Sequence, residues 1–115
     1  MTDVRGKRVF LSGPVTGLLR DEAVSAFDEA WRLCDSRGAA GIYDPMSDVP
    51  PCSTHETVIH VCLCELLTTL LTGLYYDLLV SLPGWESSEG ATLERQVAEA
   101  VGIPCVELGE LGGGE

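Results

Sequence analysis

The chain has 115 residues, 45% of them hydrophobic, and a formal net charge of −11 from 18 Asp and Glu against 7 Lys and Arg. This length fits one domain that hides roughly 65% of the surface its unfolded chain exposes, and the composition excludes wholesale disorder. The charge repels polyanions and so excludes a nucleic acid polymer as partner, while one nucleotide can still be held by the N–H groups of a helix start.

No membrane span is predicted. The longest apolar stretch, VIHVCLCELLTTLLTGLYYDLLV at 58–80, is interrupted by His60, Glu65, Gly73 and Asp77. The opening MTDVRGKRVF lacks the apolar core of a signal peptide, so a cytoplasmic location is expected. Cys34, Cys52, Cys62, Cys64 and Cys105 are an odd set without a CxxC pair, which reads as reduced thiols. On a helix Cys62 and Cys64 point about 200° apart and do not easily share a metal. Neither a metal site nor a cofactor is expected.

In chain order, KRVFLSG reads as a short buried strand stopped at Ser12-Gly13-Pro14. The segment 22–38 is a helix with Val24, Phe27, Ala30, Trp31 and Cys34 at inward spacing and Gly38 as its stop; Phe27 and Trp31 are expected in the core. AAGIYDP is a brief strand ended by Asp44-Pro45. A loop follows, with Ser53 or Thr54 able to cap a helix from His55 to about Leu71. YYDLLVSLP is an apolar run suited to a strand covered on both faces. TLERQVAEAVG is a helix with a stripe of Leu93, Val97, Ala100 and Val101 closed by Gly102, and IPCVEL is a last strand. The alternation implies a single α/β domain over 1–108, a three-layer sandwich with a mostly parallel open sheet of Rossmann or flavodoxin-like type and helices on both faces. Residues 109–115 form an acidic, Gly-rich tail expected to fray.

Ligands of such sheets bind beyond the carboxyl ends of the strands, where SGPVTG and PGWESSEG both lie. The two glycines of SGPVTG allow close backbone approach to a ligand, or simply a turn. In WESSEGATLE, Ser87, Ser88 and Gly90 bring hydroxyl and N–H groups to a helix start, where the dipole favours an ionised carboxylate at Glu94. Glu94 is either a solvated residue of an ordinary helix start or a reactive carboxylate. Trp85 is a base-stacking candidate or a rim residue, and Asp44 a site residue or a turn cap. His55 and His60, five apart, do not align on one helical face.

FLSGPVTG, YDP and YDLLVSLPGWESSEGATLERQVAEAVGIP together resemble the DUF4406 branch of the nucleoside 2-deoxyribosyltransferase-like superfamily over most of residues 8–107. That superfamily holds nucleoside deoxyribosyltransferases and deoxynucleoside 5'-monophosphate N-hydrolases. The resemblance implies that Glu94 is a nucleophile at C1' of a nucleoside or nucleotide, working through a glycosyl-enzyme ester that water or a second base resolves. It implies that Gly13, Val15, Thr16 and Gly17 wrap the sugar end, and that Ser88 and Gly90 match a 5'-phosphate cradle. Ser88 stands where the transferases usually have an aspartate, which tilts the expectation toward a monophosphate substrate. It also implies a homo-oligomer whose neighbour closes the pocket. Phe10 departs from a tyrosine common on the first strand, and Thr69 from a common aspartate that Glu65 lies one turn before; Asp77 matches an acid at a strand start. These losses support an alternative: a non-catalytic nucleotide-binding or protein-interaction module that keeps the fold.

Overall fold

The computed structural model describes residues 3–15, 19–47, 54–72 and 76–111. Among them the elements run β1 (Arg8–Ser12), α1 (Arg20–Ser36), β2 (Gly41–Tyr43), α2 (His55–Thr72), β3 (Leu78–Ser81), α3 (Glu89–Ala100) and β4 (Cys105–Glu107). This is the alternation that the sequence predicts. The sheet order is β2-β1-β3-β4, and every pairing is parallel.

Both faces of the central strands are covered, which is why their sequences are continuous apolar runs. Successive side chains on a strand point to opposite faces. Val9, Leu11, Leu78 and Val80 therefore join Phe27 and Ala30 of α1 in one core layer. Phe10 and Leu79 join Val58, Cys62 and Leu66 of α2 and Ala98 of α3 in the other. Phe10 stacks on Tyr43 at 5.0 Å between ring centres and meets Tyr76 edge-on at 5.4 Å. At the strand entry Asp77 accepts from the Arg8 N–H at 2.9 Å and returns its own N–H to the Arg8 carbonyl at 2.8 Å. Its position is explained by that anchoring.

Two helix stripes differ from the sequence expectation. In α1 the buried residues are Ala23, Phe27, Ala30 and Cys34, while Val24 and Trp31 lie outward, Trp31 being 37% exposed. In α3 the inward face is Ala91, Glu94 and Ala98; Leu93 and Val97 are half-buried, and Ala100 and Val101 are exposed. In both helices alanines share the face that meets the sheet, and the larger apolar residues beside that face, Val24 and Trp31 in α1 and Leu93 and Val97 in α3, turn to the flank. Helix ends follow the sequence more closely, with Gly38 and Gly102 both at φ +87° just past α1 and α3. Thr54 caps α2 by accepting from the Thr57 N–H at 3.2 Å, whereas Ser53 lies outside the described residues. Cys62 is buried and Cys64 exposed, the divergence that helical geometry dictates.

The packed chain extends beyond 108: Leu108–Glu110 form a 3-10 turn, and Leu111 enters the α1 layer. No helix among the described residues is long and apolar enough to cross a membrane.

Candidate active site

The chain leaves β1 toward β2 on one side of the sheet and returns to β3 on the other, so the loops after β1 and β3 part company and leave a crevice between them. Gly13 opens the first loop. A Cβ there would lie 2.7 Å from the Leu82 Cβ, so close packing between the strand exits alone requires glycine. Val15, half-buried, lines the crevice wall. Thr16 and Gly17 lie outside the described residues. The second loop turns through Gly84 at φ +88°, against Pro14 of the first.

Helix α3 begins at Glu89, three positions before the predicted Thr92, because Ser88 is its N-cap: the Ser88 hydroxyl accepts from the Ala91 N–H at 3.2 Å. A hydroxyl that accepts one bond still has a proton to donate. Ser88→Ala is expected to lower stability by about 1 kcal/mol while Ser88→Asp retains it, measured by chemical denaturation. At Gly90 a Cβ would meet Ile59 Cγ1 at 3.3 Å, so α2 and α3 are close here.

Glu94 falls in the second turn of α3, beyond the reach of the N-terminal dipole, and points at the sheet with only 5% of its surface exposed. The Ser12 hydroxyl, the last inward group of β1, donates to Glu94 Oε1 at 2.6 Å. Burial pushes the Glu94 carboxyl up to about 7, against the lowering effect of hydrogen bonds from Ser12 and the Cys62 thiol. The expected dipole-favoured ionisation is thus corrected: desolvation wins, and near neutral pH the acid and its anion coexist. The neighbouring residue follows a parallel pattern. Ser12 and Ser81 are register partners on β1 and β3, and Arg95 Nη1 donates to the buried Ser81 Oγ at 3.1 Å. The Arg95 guanidinium also lies 4.5 Å over the Trp85 ring, whose Nε1 donates to Glu107 at 3.3 Å. Trp85 is therefore a half-buried rim residue with one face taken.

Gly13, Val15, Ser88, Gly90 and Glu94 line a single crevice with Pro45, Ile59 and Cys62. It encloses about 300 Å³ including its open mouth, and its base has room for about one water molecule. A larger hollow of about 740 Å³ beside Glu86, Thr92 and Gln96 is open and does not include Glu94. The smaller one holds the buried carboxyl and is the better candidate for chemistry.

Other candidates sit elsewhere. Glu65 accepts from the Tyr76 hydroxyl at 2.6 Å, and the Thr69 side chain is outside the described set. Asp44 caps its own turn by accepting from the Met46 N–H at 2.8 Å. His60 is exposed, and the side chain of His55 is not among those described. Among the described residues no group of three or more His, Cys, Asp or Glu is gathered as metal ligands are.

Residues 7–107, from the start of β1 through β4, match the family described as "Domain of unknown function (DUF4406)". The chain belongs to the DUF4406 family. No curated protein matches it. The DUF4406 match takes in both loops of the crevice and the Ser12–Glu94 pair. Ser12 and Cys62 are the partners that sequence reasoning missed. Alternation along β1 does put Ser12 on the Phe10 face, but a serine before Gly-Pro reads first as a turn former.

Proposed function

We propose that this DUF4406 protein cleaves or transfers at the N-glycosidic bond of a nucleoside or nucleoside 5'-monophosphate, with Glu94 as nucleophile. The observation that carries the reading is a carboxyl buried to 5% exposure in a crevice at the sheet's switch point, pushed by that burial up to about 7. The likeness of its sequence motifs to the deoxyribosyltransferase-like superfamily supplies the reaction class. In the first step a Glu94 oxygen bonds to C1' while the C1'–N electron pair leaves with the base, which takes a proton from water. Water or a second base then attacks C1' and releases the carboxylate. Gly13 and Val15 bound the sugar side; Ser88 and Gly90 bound the 5' side. A sugar ring exceeds the water-sized space enclosed there, so the reading requires the crevice to widen when a nucleoside binds.

Charge weighs on the substrate. From Gly38 to Glu94 the sequence has no Lys or Arg. Outside that stretch, Arg20 donates to the Met46 carbonyl at 3.1 Å, and Arg95 donates to Ser81 and lies over the Trp85 ring. A 5'-phosphate would rely on N–H and hydroxyl donors in a chain of net charge −11, which favours the unphosphorylated nucleoside over the monophosphate suggested by Ser88 alone.

The test is free-base release, followed by chromatography, from a panel of nucleosides and their 5'-monophosphates. Release that rises with pH through about 7 and is lost in Glu94→Gln supports the proposal. Ligand binding without release, equal in both proteins, would establish instead a nucleotide-binding module without chemistry, a reading favoured by the departures at Phe10 and Thr69. A homo-oligomer belongs to the same proposal and is checked by sedimentation.

A further inference from the structure

We propose that Ser12 is a positioning residue for Glu94: its hydroxyl grips one carboxylate oxygen across the sheet–helix gap and fixes how the acid meets the crevice. For what the carboxylate then does, this rests on the nucleophile reading above.

Three observations carry it. The bond is short, 2.6 Å, and joins residues 82 apart in sequence. Ser12 is 0% exposed, so its hydroxyl is costly there unless it is bonded. The next inward residue of the same strand face is Phe10, fully buried against aromatic rings. An apolar residue would extend that layer, and the chain ends it with a hydroxyl directly beneath the acid.

The groups around Glu94 leave the assignment clear. From α2 the Cys62 thiol is the second hydrogen-bond partner, and Glu65 of α2 is engaged by Tyr76. On α3 the adjacent Arg95 turns to Ser81 of β3 and to Trp85. Cys105 of β4 has its sulfur against the Arg95 and Ile103 carbonyls. An O–H donor favours the ionised form of the acid it binds, so deleting it must raise the titration midpoint.

The experiment is a carbon-detected NMR titration of the Glu94 carboxyl in the parent, Ser12→Ala and Ser12→Thr proteins, beside base release at pH 6 and 8. Ser12→Ala is expected to shift the midpoint upward by about one unit, cutting the ionised fraction at pH 7 about fivefold. Its base release should fall more at pH 6 than at pH 8, and Ser12→Thr should return the midpoint toward the parent's. A midpoint in Ser12→Ala within about 0.3 unit of the parent's overturns the proposal, as does a shift that the threonine hydroxyl fails to reverse. If the midpoint moves as expected but no protein releases base, Ser12 still holds Glu94 and only the nucleophile reading falls.

Discussion

Glu94→Gln is expected to abolish base release and, at pH 8, to make the protein more stable than its parent. Burial keeps the Glu94 proton on in the folded state up to about 7, while the ordinary value of 4.5 applies once the chain unfolds. Between those two values the folded state binds more protons, so the parent's stability falls as pH rises and levels off above 7. Each unit is worth about 1.4 kcal/mol, giving a loss of about 3 kcal/mol for this one group. Glutamine carries no such charge, and its carbonyl oxygen can still accept from Ser12. The variant should gain on the order of 10 °C in melting temperature at pH 8 and little at pH 4.5. Melting curves at the two pH values check it. Equal shifts at both would mean that Glu94 is not the group that resists ionisation.

Gly13→Ala is expected to be the most damaging small substitution in the crevice. The added methyl would stand 2.7 Å from the Leu82 Cβ, and a Cβ cannot swing aside as the end of a long side chain can. Overpacking of this kind costs about 1–3 kcal/mol. Relief requires the exits of β1 and β3 to separate, which also pulls Ser12 away from Glu94. Denaturation should therefore show lost stability, and the Glu94 midpoint should rise as well. By contrast Gly90→Ala meets only the side chain of Ile59, at 3.3 Å, and gains helix propensity, so its stability change should be much the smaller of the two.

The architecture was legible because its punctuation is strong. Apolar runs such as LLVS end at Gly and Pro, and Gly38 and Gly102 close helices where the sequence places them. The inward side of α1 was legible only in part, and that of α3 was not. In α1 the spacing rightly places Phe27, Ala30 and Cys34 inward but adds Val24 and Trp31, which turn outward; in α3 it selects Leu93, Val97, Ala100 and Val101, where Ala91, Glu94 and Ala98 are the buried face. That choice is made by the sheet beneath the helix and leaves no mark on the helix's own sequence. The same blindness affected the acid. Glu94 was identified as the candidate carboxylate, but its protonation depends on Ser12 and Cys62, which reach it from β1 and α2. The polar step formed by Ser12 beside Ser81 exists only once β1 and β3 are in register.

That register also dictates timing. β1 is a central strand, yet one of its neighbours, β3, is encoded in the last third of the chain. During synthesis the N-terminal βαβ unit must therefore wait with one flank of β1 unpaired, a template for mispairing until the rest emerges. Closing so long a loop is entropically slow. The grip of Ser12 on Glu94 is thus among the last things the nascent molecule acquires, and a truncated product ending before Glu94 would leave the Ser12 hydroxyl without its carboxyl partner.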